Sequence, residues 1–260
     1  MGIYAITGAS GGIGGKAAEL IRAAGHKVIN IDIKNADINA NLATPEGRKD
    51  AIRQVHELAP DGLDAMICVA GVSAMCGNPK LIISVNYFGT VELVEGVYDL
   101  LLKKKGCVVV TASNTISQGS ARKDLVDLLN NTADEERILS LLDGVNPAQY
   151  AHPMYVTSKY ALSRWMRRSS PRYAADGIRI NAIAPGNVAT PMTASLTPEA
   201  WESCLAIPIP TLYGQDKLMD PEDISKGIVF LSSEMASGVN GIILFVDGGT
   251  DALLNSEKVY

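Results

Sequence analysis

The sequence is poor in the residues that build metal sites and disulfide frameworks. Its 260 residues include only four cysteines and three histidines, and neither set has the spacing of a metal site or of a disulfide framework. Cys68 and Cys107 lie inside apolar runs, where buried thiols are expected. We therefore expect no bound metal and a reducing compartment.

The sequence also lacks an excess of positive charge and any long apolar run. The formal net charge is −5, which gives no electrostatic support to nucleic-acid binding. No apolar run is long enough to span a bilayer, and the first strand-like run begins at Ile3, which leaves no room for a signal peptide. These absences predict a cytoplasmic protein that binds neither nucleic acid nor membrane.

What the sequence does contain is a regular alternation of short apolar runs and helix-like stretches. Apolar residues make up 47% of the chain and aromatic residues only 5%, as expected for buried parallel strands packed on helices. The predicted strands are 3–7, 27–32, 64–70, 107–112, 178–184 and 242–247, and the predicted helices are 13–24, 46–58, 82–103, 154–175 and 221–233. The alternation predicts an α/β fold with a doubly wound parallel sheet. No linker or repeat divides the chain, so a single domain over 1–260 is expected.

One stretch interrupts this alternation. Residues 114–153 lie between a strand and a helix, where a short loop would suffice. They contain two amphipathic patterns, KDLVDLL at 123–129 and EERILSLL at 135–142. Leucines in such number need a surface to bury against. This helical insert is either a surface excursion or an interaction element, and we expect a homodimer or homotetramer whose contacts involve it.

A glycine-rich turn follows the first predicted strand and opens the first predicted helix. In TGASGGIG, Thr7–Gly14, glycines let the backbone approach a pyrophosphate, and the helix amides meet its charge. Asp32 ends the second strand, where a carboxylate can bind an adenosine ribose diol and repel a 2′-phosphate. The glycine loop has no arginine, which favours NAD over NADP, although Lys34 argues the other way. The alternative is that the glycines form an ordinary turn and that Asp32 only terminates a strand, with no role in cofactor binding.

Tyr155 and Lys159, in YVTSK, are four residues apart and share one face of a helix. An ammonium near a phenol favours the phenolate, and so lowers the pKa of the phenol from its ordinary value of about 10. Taken alone, the pair also fits a solvated helix surface. Ser113 at the end of a central strand, Asn86 in the helix after the third strand and Thr190 in APGNVATP add polar groups where open α/β sheets bind ligands. The combination predicts a proton-transfer centre.

With these motifs in place, the chain resembles the short-chain dehydrogenase/reductase family over nearly its whole length. The matching motifs are TGxxxGIG at 7–14, Asp32, Ala70–Gly71, Asn86, Ser113, YxxxK at 155–159, PGxVxT at 185–190 and VDGG at 246–249. The resemblance implies a Rossmann-type sheet with one extra strand at 242–247, and a catalytic tetrad. Within it, Tyr155 would be the general acid/base and Ser113 would bind the reacting oxygen. Lys159 would lower the pKa of Tyr155 and hold the nicotinamide ribose, and Asn86 would support a water relay.

The resemblance also implies which residues contact NAD. They are Gly8, Ser10, Gly11, Gly12, Ile13, Asp32, Asn41, Leu42, Ala70, Gly71, Tyr155, Lys159, Pro185, Gly186, Val188 and Thr190. Two departures concern the adenosine side. Cys68 and Val69 replace the polar start of the family's Asn-Asn-Ala-Gly motif, and Asn41 stands where the family often has an aspartate facing the adenine.

Within the family, the chain is similar to the bacterial 3α-hydroxysteroid dehydrogenase/carbonyl reductases. The shared features are the SVNYFG helix, an Asp-Gly-Gly-x-Asp-Ala ending and the helical insert. This implies oxidation or reduction of an apolar alcohol or ketone, a hydroxysteroid or bile acid. It also implies a substrate lid at about 190–215, whose apolar residues are Met192, Leu196, Trp201, Leu205, Ile207, Ile209 and Leu212. Two alternatives stay open: an enzyme of a non-steroid carbonyl compound, and a non-catalytic dinucleotide-sensing regulator.

Overall fold

Short aliphatic runs form a parallel sheet in the computed structural model, which describes residues 1–194 and 218–259 together with Pro198, Glu202 and Leu212. Within those residues the sheet has seven strands in the order β3-β2-β1-β4-β5-β6-β7. They are β1 (Ile3–Thr7), β2 (Lys27–Asp32), β3 (Ile38–Asn39), β4 (Ala65–Cys68), β5 (Cys107–Thr111), β6 (Arg179–Pro185) and β7 (Ile243–Val246). All six predicted strands are present, with ends shifted by a few residues, and β3 is an addition.

Helices cover both faces of the sheet. They are α1 (Gly12–Ala23), α2 (Pro45–Leu58), α3 (Pro79–Ile83), α4 (Gly89–Gly96), α5 (Tyr98–Lys104), α6 (Lys123–Asn131), α7 (Glu135–Ser140), α8 (Pro147–Ala175), α9 (Pro191–Ala194), α10 (Pro221–Ser232) and α11 (Thr250–Leu254). Buried side chains of α1 and α10 pack on one face, and those of α2, α4 and α8 pack on the other. The predicted single domain with a doubly wound sheet describes this arrangement.

The strand order reverses beside β1, which lies between β2 and β4. The chain therefore builds one half of the sheet outward from β1 and the other half outward from β4. A crevice opens at such a reversal, outside the carboxyl ends of the strands. The glycine turn and the residues after β4, β5 and β6 all lie at this edge.

The predicted continuous helix at 82–103 is wrong. The chain instead forms α3, a π-helical turn at Ser84–Phe88, then α4 and α5, with a break at Val97. A π turn adds one residue to a helical turn, and such turns are frequent at functional sites. Asn86 lies in the middle of this turn.

The insert packs on the body of its own chain. After a short 3-10 turn at Asn114–Ser117 come α6 and α7, and α8 already begins at Pro147, capped by the Asn146 side chain, which accepts from the Ala148 amide at 3.0 Å. Five apolar side chains of the insert are buried in the core on the α8 side of the sheet: Leu125, Val126, Leu129, Ile138 and Leu142. The reasoning from unpartnered leucines to a contact between subunits therefore does not hold.

A buried arginine ties the insert to the rest of the fold. Arg48 in α2 has 0% of its surface exposed. Its Nε donates to Glu92 Oε2 at 2.7 Å and its Nη2 to Glu92 Oε1 at 3.1 Å. A further ion pair joins it to Glu135 in the insert, and Nη1 donates to the Leu42 carbonyl at 3.2 Å. Four separate segments therefore meet at one guanidinium.

Candidate active site

The glycine turn between β1 and α1 depends on close backbone approach. Gly8 has φ +71°, and a Cβ there would lie 2.8 Å from the Ala70 amide nitrogen. A Cβ on Gly14 would lie 2.3 Å from the Gly8 carbonyl oxygen, so any side chain would push the turn apart. Helix α1 begins without a capping side chain and without an acidic residue in its first turn. Its first amides are therefore free to bind an anion.

Asp32 ends β2 and is hydrogen-bonded to the turn. Its Oδ2 accepts from the Ser10 amide at 3.1 Å, and its Oδ1 accepts from the Ile33 amide at 2.7 Å. The Ser10 hydroxyl in turn donates to the carbonyls of Lys34 and Asn35. The carboxylate is thus held at the rim of the glycine turn, and each oxygen keeps acceptor capacity for a diol.

Tyr155 lies on α8 and faces Ser113, which lies two residues after the end of β5. Burial raises the pKa of the Tyr155 phenol above 10.0, and its hydrogen bond with Ser113 opposes that rise. Ser113 caps the 3-10 turn, and its Oγ accepts from the Thr115 amide at 3.3 Å. Ser113 is thus hydrogen-bonded both to its own turn and to the Tyr155 phenol.

Lys159 lies one helical turn beyond Tyr155 and is 5% exposed. Its Nζ donates to the Thr111 carbonyl at 2.8 Å. Burial lowers the pKa of Lys159 from 10.5 to about 8. Burial also raises the pKa of the neighbouring Cys68 thiol to about 12, so Cys68 is neutral. We expected Lys159 to lower the pKa of Tyr155; in the protein alone, burial dominates and the phenol is neutral at pH 7.

Asn86 lies behind the site rather than in its wall. It is 1% exposed; its Oδ1 accepts from the Val72 amide at 2.8 Å, and its Nδ2 donates to the Val72 carbonyl at 2.9 Å and to Ser158 Oγ at 3.3 Å. A Cβ on Gly71 would lie 3.1 Å from Asn86 Oδ1 and 3.6 Å from Lys159 Nζ. Asn86 thus clamps the chain after β4 against α8, with only a glycine between it and Lys159.

A single cavity of about 1380 Å³ connects these groups. Its wall contains every residue predicted for cofactor binding together with Ser113, and Asn86 alone of the predicted site residues is absent from it. The glycine turn and the segment after β6 approach each other closely across this cavity, since a Cβ on Gly12 would lie 3.4 Å from Thr190 Cγ2. The segment carrying Thr190 is held by a bridge between Val188 and Met219.

Several wall residues were not predicted from the sequence. They are Ile33, Ala40, Val72, Ser73, Met75, Leu81, Val85, Asn114, Thr115, Gln118, Ala148, Ala151, His152 and Asn187, among others. Ile33 is 66% exposed, an unusual position for isoleucine directly after a buried strand. His152 precedes Tyr155 by three residues, and i, i+3 spacing on a helix could have indicated a shared face.

The predicted lid at 190–215 lies mostly outside the described residues. Thr190, α9 with Met192, and Leu212 are described, and Leu212 is 76% exposed.

Among residues 1–194 and 218–259, no helix has the length and apolar character needed to cross a bilayer. The same described residues contain no cluster of histidine, cysteine and carboxylate side chains that could hold a metal ion.

Fold and site together define an α/β oxidoreductase with a dinucleotide-type glycine turn. The chain belongs to the short-chain dehydrogenase/reductase family, whose members interconvert CH–OH groups and carbonyls. A family model described as short chain dehydrogenase matches residues 3–124, and one described as enoyl-(acyl carrier protein) reductase matches residues 138–251. Residues 125–137, between the two matches, lie in the insert.

Similar proteins have related activities. A 3-alpha-hydroxysteroid dehydrogenase/carbonyl reductase of Comamonas testosteroni is 31% identical over 99% of this chain and 100% of the relative. A coniferyl-alcohol dehydrogenase of Pseudomonas sp. (strain HR199 / DSM 7063) is 27% identical over 94% of each chain. The crystal structure of a 3-alpha-hydroxysteroid dehydrogenase from Pseudomonas sp. B-0831 complexed with NADH superposes with a TM-score of 0.89, 34% identity, and coverage of 98% and 99%.

Proposed function

We propose that the protein is an NAD-dependent oxidoreductase that interconverts a secondary alcohol and a ketone, with a hydroxysteroid as its substrate class. The observation that carries the proposal is the single cavity that joins the glycine turn to Ser113 and Tyr155 and continues along an apolar wall. Support for NADH and for a steroid comes from the two hydroxysteroid dehydrogenases that the chain resembles over its full length.

The residues in the wall suit a dinucleotide. The uncapped start of α1 would hold the pyrophosphate. No atom lies within 4 Å of a Cβ built on Gly11, which leaves an open cradle over those amides. Asp32 would bind the adenosine ribose and repel a 2′-phosphate, while Lys159 would hold the nicotinamide ribose. When bound, the nicotinamide supplies or accepts the hydride.

The protein's part of the chemistry is to hold an oxygen and move a proton. Ser113 would donate its hydroxyl proton to the substrate oxygen in place of its hydrogen bond with Tyr155. Tyr155, neutral through burial, would give its proton to the ketone oxygen during reduction and take it back during oxidation. A bound cationic nicotinamide would favour the phenolate in the oxidative direction. Asn86 would keep Val72 and α8 in place, and a water relay is the role that its family position implies.

Apolar side chains on the substrate side of the wall suit a rigid alicyclic ligand. Met75, Leu81, Val85, Ala148 and Ala151 lie in this part of the cavity. Their burial against a steroid at about 25 cal/mol per Å² would supply most of the affinity.

A non-steroid carbonyl compound is the second candidate, favoured by the coniferyl-alcohol relative. A sensor without turnover has no need for the Ser113–Tyr155 hydrogen bond.

Steady-state kinetics with NAD and NADP would test the proposal. The panel contains 3-, 7- and 12-hydroxysteroids, coniferyl alcohol, and small alcohols and sugars, and NADH absorbance is followed in both directions. We expect the highest kcat/KM for a hydroxysteroid with NAD. If small polar alcohols are preferred and no steroid reacts, the steroid assignment fails. If NADH binds and nothing in the panel reacts, the sensor is favoured.

We also propose a cytoplasmic homo-oligomer, a homodimer or homotetramer. The cytoplasmic location is supported by Cys68, Cys76 and Cys107, which are free thiols, as expected in a reducing compartment. For the oligomer, Leu141 at the outer end of the insert is 53% exposed, although Leu125, Val126, Leu129, Ile138 and Leu142 are buried by the chain itself.

A further inference from the structure

Two polar side chains on the turn after Ser113 face the cavity. Thr115 and Gln118 belong to the segment that caps on Ser113, and the Gln118 amide donates to the Thr115 carbonyl at 3.1 Å. Both side chains contribute to the same wall as Ser113 and Tyr155. This backbone hydrogen bond fixes the turn. It holds the side chains of Thr115 and Gln118 close in sequence to Ser113, the residue proposed to donate to the reacting oxygen.

Thr115 Oγ1 and Gln118 Nε2 are buried, and neither has a hydrogen-bond partner in the described part of the chain. Buried polar atoms are nearly always paired, because leaving them unpaired costs free energy. Ser117 on the same turn follows the rule, since its Oγ donates to the Asn114 carbonyl at 3.0 Å. Ser117 does not line the cavity, whereas Thr115 and Gln118 do. The described residues contain three other unpaired buried atoms: Thr111 Oγ1, whose residue also lines the cavity, and Asn30 Oδ1 and Asn130 Oδ1, whose residues do not. Thr115 and Gln118 are the two that lie together on one turn of the cavity wall, where a ligand would come close to them.

The chemistry of these two atoms defines the group that would pair with them. The Gln118 amide nitrogen donates, and the Thr115 hydroxyl donates or accepts, so the partner is an oxygen acceptor. Lys159 is the sole lysine or arginine in the described wall, and it is engaged with Thr111. A carboxylate would therefore be buried without a cation, which is unfavourable. A ketone or hydroxyl oxygen carries no such penalty.

We propose that the physiological substrate carries a second, uncharged oxygen, a hydroxyl or a ketone, which is bound by Gln118 and Thr115 while its first oxygen reacts at Tyr155. This inference rests on the proposed function and specifies its substrate class. A dioxygenated alicyclic compound is favoured over a mono-alcohol, because a mono-alcohol leaves both polar atoms buried and unpaired. A site that must pair its buried polar atoms discriminates between substrates more strongly than a site that recognises them by apolar fit alone.

The test compares matched substrates in matched variants. Each pair consists of a compound with one oxygen, such as a 3-hydroxysteroid without other oxygens, and the same skeleton with a second hydroxyl or ketone on the far ring. A cyclohexanol pair extends the series to small skeletons. The variants are Thr115→Val and Gln118→Leu, each close in volume to the native side chain, and Gln118→Met serves if Gln118→Leu fails to fold. Ser117→Ala is the control on the same turn, and NADH fluorescence titration checks the fold of each.

The expected result is a wild-type preference for the two-oxygen member of at least one pair. Thr115→Val and Gln118→Leu should each reduce that preference in kcat/KM by about 10-fold, and Ser117→Ala should leave it unchanged. The inference is overturned, with the proposed function intact, if the wild type turns over the panel and the variants do not alter the ratio. If the wild type binds NADH and turns over no member of any pair, the proposed function fails and this inference fails with it.

Discussion

Lys159 is a buried ammonium, and its Nζ donates to the backbone carbonyl of Thr111 at 2.8 Å. No carboxylate pairs with it in the described part of the chain. Burial lowers its pKa to about 8, because a charge costs free energy when it is removed from water. The fall from 10.5 to about 8 corresponds to about 3 kcal/mol.

Replacing Lys159 with methionine should therefore stabilise the protein while abolishing turnover. We expect a gain of about 2 kcal/mol at pH 7, since the lost bond to Thr111 offsets about 1 kcal/mol. Between pH 8 and 10.5 the unfolded chain binds more protons at Lys159 than the folded chain does, so the stability of the wild type rises through this window. The advantage of the variant should nearly vanish at pH 10.

Urea unfolding at pH 7 and at pH 10 checks this, with the exposed Lys49→Met as the control. A variant that is less stable than wild type at pH 7, or an advantage that grows with pH, would contradict the assignment of Lys159 as a destabilising buried charge.

Changing Tyr155 to phenylalanine should lower kcat by about 10²–10⁴-fold, because the only proposed proton donor is lost. NADH affinity, measured by fluorescence titration, should change little. Tyr160→Phe is the control, since this ring stacks under the Lys123 ammonium at 3.3 Å and does not line the cavity. Wild-type-like turnover in the Tyr155 variant would remove it from the mechanism.

Changing Asp32 should weaken the choice of NAD over NADP. Asp32→Asn keeps an acceptor for the Ser10 amide and removes the charge that repels a 2′-phosphate; Asp32→Ala removes both. We expect the ratio of kcat/KM for the two cofactors to fall by about 10-fold or more in each variant. Equal use of NAD and NADP by the wild type would contradict the role of Asp32.

Changing Arg48 should strongly destabilise the fold. Arg48→Met leaves Glu135, whose side chain is 13% exposed, without its cation, and we expect a loss of about 3–5 kcal/mol. Arg53→Met is the matched control on the same helix: Arg53 also has two carboxylate partners, but its side chain is 57% exposed, so the loss should be much smaller than for Arg48→Met. Equal losses in urea unfolding would show that Arg48 contributes only as a surface charge does.

Light scattering at micromolar concentration should show a homo-oligomer. Leu141→Asp, at the exposed end of the insert, should shift the protein toward the monomer, whereas Leu102→Asp on α5 should not; the two leucines are 53% and 45% exposed. A monomeric wild type would refute the oligomer, and the reverse effect of the two variants would place the contact away from the insert.

The sheet and the groups at its edge could be predicted from the sequence because each is signalled locally. Buried parallel strands appear as short aliphatic runs, and the glycine turn, Ser113 and YVTSK stand at their ends. β3 was not predicted, because a strand of two residues, Ile38–Asn39, leaves no period to detect. The π turn at Ser84–Phe88 was not predicted either, because one extra residue in a helical turn changes the local pattern of apolar residues very little.

Other features could not be predicted because they depend on residues far apart in the chain. An arginine is expected at the surface, yet Arg48 is buried by partners 44 and 87 residues away. The spacing of Tyr155 and Lys159 indicated a shared helix face, but could not show that Nζ would bind the Thr111 carbonyl or that burial would dominate the pKa of the phenol.

The π turn around Asn86 makes chain length, and not only residue identity, a requirement of this site. Each residue added to or removed from a helix rotates everything beyond it by about 100°. Deleting one residue between 84 and 88 would restore an ordinary helix, but would turn either Asn86 away from Val72 or Leu93 and Val94 out of the core. An insertion or deletion of one residue in this segment should therefore disrupt the site even when Asn86 itself is kept.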